Sequence, residues 1–349
     1  MRTRIVPITL LLTAAIAIPA LLIGWTVKPS PSTTDEIRRS IGKSLPLLQM
    51  SGEKFIARSK DHCVSCHHNL LTALVEEKSR LKGIPFTDTF RIKRVQTMLL
   101  GLQFASNINL PTDFLAVKFI PAYGLLELHA DGYAPDANTD ISVDYLMGQQ
   151  HPDGSFGAEY GRPPQEGGEA HLAALAIRDI QWYASPAKTQ KVNEQLIRTR
   201  RFLNNYHSDV QQELVFQLLG LQWCGASAEE KEKAASRLRE TQHPDGSWSQ
   251  LKTMTGDAYA TGQALYALAE SGTIRSDEES YNKGIAWLLK TQDPTGAWIV
   301  QTRAYPIQPF FSSDFPPYDE NQYISAAATN WASLALLDAL PDASAVVQK

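Results

Sequence analysis

Two thiols three residues apart, followed at once by an imidazole, stand in Cys63-Val64-Ser65-Cys66-His67. On one helical turn, residues three and four apart face the same way, so Cys63, Cys66 and His67 can converge on one flat ligand. This is the attachment pattern of c-type haem: the thiols add to the two vinyl groups and His67 donates a nitrogen to the iron. One covalent haem c is therefore the expected cofactor, and it brings electron transfer or redox conversion of a substrate. Two other chemistries use the same residues. The cysteines could close a small disulfide, or with His67 or His68 hold part of a zinc site, but zinc takes four ligands and no second CxxC or HxxxH occurs. Cys224, in Leu221-Gln222-Trp223-Cys224, reads as a buried small hydrophobe.

The opposite face of the iron separates a carrier from an enzyme, since His/Met ligation suits electron transfer and an open position admits a substrate. His68 cannot reach across because it neighbours His67 on one side of the ring. Met98, in Val95-Gln96-Thr97-Met98-Leu99, is the nearest downstream thioether, so His67 and Met98 are the expected metal ligands. Met on such an apolar helical stretch is more often core than ligand. His129, His151 and His171 are alternatives, with His151 reading as part of the turn it begins.

The elements that must position these residues begin with residues 1–27. After Arg2 and Arg4, Ile5 to Val27 carry no charge, and at about 1.5 Å per residue they can cross a hydrocarbon core of about 30 Å. Arginines before the segment place Lys28 onward outside, on the periplasmic side of a bacterial inner membrane, where c-type haem is attached. Cleavage after Ala17 is the alternative. It would leave an apolar end, so an uncleaved anchor is expected. Residues 28–35, with Pro29 and Pro31, read as an extended tether. The chain as a whole is 43% hydrophobic, enough for a core. The net charge of −4 argues against nucleic acid as partner, because phosphate binding needs a basic face. Arg198, Arg200 and Arg201 read as a solvated helix face.

One turn recurs. Gln150-His151-Pro152-Asp153-Gly154-Ser155-Phe156 returns as Gln242-His243-Pro244-Asp245-Gly246-Ser247-Trp248 and as Gln292-Asp293-Pro294-Thr295-Gly296-Ala297-Trp298. A weak unit near Asn204-Asn205-Tyr206 completes a period of about 46 to 50, which means an array of helix pairs. Proline stops each preceding helix and the aromatic packs back over the turn. Tyr281, Ile285, Leu288 and Leu289 form one buried stripe. Residues 170–177, 215–221, 259–268 and 326–337 are instead apolar on most sides and must be buried all round. Outer amphipathic helices around inner buried ones make an α/α toroid, all-α and without strand signals.

These turns resemble the Gln-to-Trp motifs of the squalene-hopene cyclase and prenyltransferase repeat family, over roughly residues 114–341. The resemblance implies a hydrophobic central cavity and a proton donor in an Asp-x-Asp-Asp-Thr-Ala segment. Here the nearest match is Gly256-Asp257-Ala258-Tyr259-Ala260-Thr261-Gly262, with a single aspartate at the head of an inner helix that suits a helix N-cap better than catalysis. No spacing around Cys224 matches the prenyltransferase zinc site. The whole chain is similar to bacterial exported proteins that join a CxxCHH segment to such repeats, an architecture that names no reaction. Residues 162–168 and 304–323 read as loops over the toroid mouth, and Asp314, Phe315, Tyr318, Asp319 and Glu320 are the first place to look for substrate contacts.

The expected organisation is a membrane anchor at 1–27, a linker at 28–35, a helical haem segment at 36–110 and the toroid at 111–349. The expected function is an exported, anchored mono-haem protein that passes electrons to a redox partner protein, with the toroid as scaffold. The alternatives are a haem-dependent oxidoreductase acting on a hydrophobic, isoprenoid-like molecule, and a haemless binding module of cyclase fold.

Overall fold

The computed structural model describes residues 31–59, 64–106, 118–157, 162–273, 278–304 and 312–343. The anchor expected at 1–27 and Cys63 lie outside them. Among the described residues no helix is long and apolar enough to cross a membrane.

Twelve helices are described, in six hairpins: α1 (Pro31–Arg58) with α2 (Leu71–Leu81), α3 (Arg91–Ser106) with α4 (Phe119–Ala130), α5 (Ala137–Gln149) with α6 (Glu169–Tyr183), α7 (Thr189–Asn205) with α8 (Gln211–Trp223), α9 (Ala228–Arg239) with α10 (Ala258–Glu270), and α11 (Glu279–Thr291) with α12 (Gln322–Asp338). The even-numbered helices pack one against the next and α12 packs on α2, so they form a closed inner ring. The odd-numbered helices surround them. Burial follows from sequence pattern: every residue of α8 from Gln211 to Leu221 is buried, whereas α7 buries one stripe of Val192, Gln195, Thr199 and Leu203. No strand occurs among the described residues.

The recurring turns tie the outer ring together. Gly154, Gly246 and Gly296 share a φ near +97°, open to glycine at no steric cost. Each turn sits on the next outer helix. The Gln150 side-chain amide donates to Gln195 O on α7, Gln242 to Ser280 O on α11, and Gln292 to Ser40 O on α1. The last of these closes the ring. Trp248 and Trp298 are fully buried and fold back over their turns, each indole donating to a carbonyl of the preceding helix, Leu238 O and Leu288 O, at 2.9 Å. The weak fourth unit is present too, with Asn204 reaching Glu230 of α9. In the arginine group of α7, Arg198 holds Gln150 and Arg200 pairs with Glu230, so both brace the ring and Arg201 alone is a solvated face.

Of the residues expected as a tether, 31–35 are helical and belong to α1, which carries Ile37 and Ile41 into the core. The ring also takes in helices from both sides of residues 110 and 111. α1 meets α12 through Ser44 and Ser333 (3.0 Å), and α2 meets it through Thr72 and Asn330 (3.1 Å).

Candidate functional site

Inner helices run in one direction, so their first turns gather at one end, the mouth, and their last turns at the other, the floor. Cys66-His67-His68 opens the first inner helix as a single wide turn, Cys66–Leu70, capped by the Ser65 hydroxyl, which accepts from His67 N at 3.2 Å. The Asn330 amide donates to His67 O at 3.0 Å and Asn69 donates to Gly52 O at 3.0 Å, so α12 and α1 fix this turn from two sides. The His67 ring is half-buried, 6.1 Å from the Tyr323 ring, and its nitrogens take no hydrogen bond from the described residues. Burial, with the positive charge of Arg162, lowers it to about 3, so the imidazole is neutral. That is the form that ligates metal.

His68 is buried and fully engaged. Ser313 Oγ lies 2.8 Å from its Nε2 and Ser65 Oγ 3.3 Å from its Nδ1, while Phe55 stacks on it at 5.2 Å and Tyr323 meets it edge-on at 5.1 Å. Burial holds it well below the usual imidazole range. The loop that supplies Ser313 is one of the two expected over the mouth. Its acidic and aromatic cluster does not act as a unit: Asp314 pairs with Lys54 and Arg58 of α1, Phe315 is buried under the loop, and Tyr318 is exposed.

A second set of residues crosses the axis beside this turn. Tyr123 Oη lies 2.9 Å from His171 Nε2, Gln212 Nε2 lies 2.8 Å from His171 Nδ1, and Tyr259 donates to Gln212 Oε1 at 2.5 Å. Four inner helices thus share one hydrogen-bonded row. Aromatic rings line it: Phe119 and Phe216 lie 4.8 and 4.0 Å from His171, and Trp331 lies 6.2 Å from Phe216. Burial lowers His171 to about 3. Only His171 of this row was visible in the sequence as a candidate. The others sit within apolar helices where nothing local marks them.

Asp257 caps α10, accepting from Ala260 N at 2.9 Å and from the Gln250 amide at 3.0 Å. Burial raises it to about 6. When Asp257 is matched to the first aspartate of Asp-x-Asp-Asp-Thr-Ala, the tandem positions hold Tyr259 and Ala260.

Other expected residues lie elsewhere. Met98 is fully buried on α3, its thioether methyl against Gly101 and Gly124, the packing role that its apolar stretch also allows. His129 stacks on Trp182 at 3.7 Å near the floor, and His151 stays in its own turn with Ser155 at 3.1 Å. Cys224 ends α8, where burial pushes its thiol up to about 12. Among the described residues, no group of three or more His, Cys, Asp or Glu is arranged to hold a metal ion.

The family model of the squalene-hopene cyclase C-terminal domain matches residues 188–349. A squalene-hopene cyclase of Bradyrhizobium diazoefficiens is 30% identical over 296 residues, covering 84% of this chain and 38% of that protein. Lanosterol synthase erg7A of Aspergillus fumigatus is 30% identical over 109 residues, 31% of this chain and 13% of that protein. The chain thus spans well under half the length of these curated relatives. Among solved structures, the type II terpene cyclase MstE from Scytonema has a TM-score of 0.56 at 16% identity, covering 88% of this chain and 99% of that one. A glycosidase in complex with glucose has a TM-score of 0.52 at 10% identity, covering 90% and 100%. Likeness to two such different enzymes shows the toroid fold alone. The toroid is squalene-cyclase-like.

Proposed function

We propose that this chain is a ligand-binding protein of cyclase-like fold that takes a hydrophobic, isoprenoid-like molecule at the mouth and axis of its toroid without cyclising it. The observation that carries this is the axial row: aromatic faces from α4, α8 and α12 beside a few convergent polar groups, Tyr123, His171, Gln212 and Tyr259, which is the make-up of a small-molecule site. Proton-initiated cyclisation needs an oriented acid aimed at the substrate. Asp257 is instead occupied by the end of its own helix and by Gln250. Titrating the full chain with detergent-solubilised squalene should quench its tryptophan fluorescence to saturation, and extracts should hold no cyclic triterpene. Absence of binding would remove the reading. A cyclic product that vanishes in Asp257→Asn would replace it with a cyclase.

A second reading is favoured by His67. Its imidazole is neutral, uncommitted and next to Cys66 on a turn anchored from both flanks, so these residues fit a c-type haem attached at Cys63 and Cys66. The group would supply one-electron chemistry. The chain's own part is to hold His67 through Ser65 and Asn330, and to keep water from its buried side through Tyr323 and His68. In this reading the protein is held at the periplasmic face by residues 1–27. Co-expressed with a haem-attachment system, wild type should carry covalent haem on a denaturing gel, and Cys63→Ala with Cys66→Ala should not. Equal staining of both, or of neither, ends this reading.

A further inference from the structure

The floor of the toroid carries a set of charges that the mouth does not use. There the last turns of the six inner helices bring together Glu77 and Lys78 of α2, His129 of α4, Arg178 and Trp182 of α6, Trp223 of α8, Tyr266 and Glu270 of α10, and Asp338 of α12. Four flat groups form one stack: His129 on Trp182 at 3.7 Å and 8°, the Arg178 guanidinium over Trp182 at 4.4 Å, and the same guanidinium over Trp223 at 5.4 Å. The stack fixes the plane of Arg178 yet leaves its donors unspent. Its Nε is buried with no hydrogen-bond partner among the described residues, and the Trp223 indole N–H is in the same condition. Lys78 is placed differently, since it lies over Tyr266 at 4.7 Å and is paired with Asp338. Glu270, Tyr266, Asp179 and Glu77 act on the charge of Arg178 through space, but among the described residues no carboxylate closes an ion pair with it.

An arginine held flat with open donors is made for an oxyanion. A simple anion, however, would face Glu270, Glu77 and six helix C-termini, all of negative sign. A simple cation would face Arg178. One class of group satisfies both. We propose that Arg178 and Glu270, with Glu77, bind a zwitterion, its oxyanion on the guanidinium between Trp182 and Trp223 and its ammonium on the carboxylates. A free amino phosphate and the ethanolamine headgroup of a phospholipid share this chemistry. The site lies at the opposite end of the ring from the axial row and does not rest on the function proposed above.

Calorimetric titration of the full chain with O-phosphoethanolamine, and sedimentation with phosphatidylethanolamine vesicles against phosphatidylglycerol vesicles, test this. Binding of the soluble compound or selective binding of the ethanolamine vesicles supports the site, and which of the two is tighter names the source. Arg178→Gln should weaken binding about ten- to a hundredfold, the worth of a charged hydrogen-bonded contact. Glu270→Gln, at a half-buried position with no hydrogen bond or ion pair among the described residues, should weaken it while leaving the circular dichroism spectrum unchanged, which keeps the test open if Arg178→Gln misfolds. No binding of either zwitterion overturns the proposal. So does inorganic phosphate that binds as tightly as phosphoethanolamine, or affinity unchanged in Glu270→Gln.

Discussion

At His171 burial decides the protonation state, and the consequence is measurable. The ring is fully buried among Phe119, Tyr123 and Phe216, and it is lowered to about 3 from an unfolded value near 6.5. Between those values the unfolded chain binds a proton that the native chain does not, so this residue's contribution is complete above pH 6.5 and is lost as pH falls toward 3. Asp257, raised to about 6, acts with the opposite sign, favouring the native chain as pH falls from 6 to 3.8. A single stability curve therefore mixes the two, and the difference between variants separates them. His171→Asn should lose less stability than wild type between pH 6.5 and 5, by about 2 kcal/mol, in urea titrations at the two values. Equal losses would show that the ring is protonated in the native state. Spacing identified Cys63, Cys66 and His67 as candidates because that chemistry is local. It could not find Ser313 for His68, 245 residues away, because no local pattern marks a hydroxyl that will be brought there by ring closure.

Among the described helices, α10 and α12 share the most extensive contact, and small residues allow it. A Cβ on Gly262 would lie 2.5 Å from Ala332 N and from Trp331 C, backbone atoms that no rotamer change can move. Gly262→Ala should therefore force the two helices apart and cost about 1–3 kcal/mol, the usual scale of overpacking, whereas Gly148→Ala, where nothing lies within 4 Å, should be neutral or stabilising. Parallel thermal melts decide it, and equal melting temperatures would mean that α10 and α12 slide freely. The helices themselves were readable from sequence, since proline and glycine end α5, α9 and α11 at a repeated turn and the inner segments are too apolar to sit at a surface. The start of α1 was not. Pro29 and Pro31 among Ser and Thr look like a tether, whereas residues 31–35 belong to α1, which docks on the last repeated turn through Gln292 and Ser40.

As a whole molecule the toroid depends on closure, because each hairpin leaves one inner face bare until its neighbours arrive. Sequence periodicity gave the repeat but not the number of hairpins, since only three of the turns are strong and those of α1 and α3 lack the motif. The clamp from Gln292 to Ser40, described above as the closing contact, has a topological consequence. A closed ring of like units has no first unit, so the order in which the chain visits them is free. α1 begins and α12 ends at the floor, packed side by side. Joining residue 343 to residue 31 through a linker of about eight residues, and opening new ends in the exposed connection at Ala187, should give a circular permutant with the same helical circular dichroism spectrum and one cooperative melting transition. Two separate transitions would show that the hairpins before and after α6 fold as independent arcs, and that the seam between α12 and α1 is a contact the ring can do without.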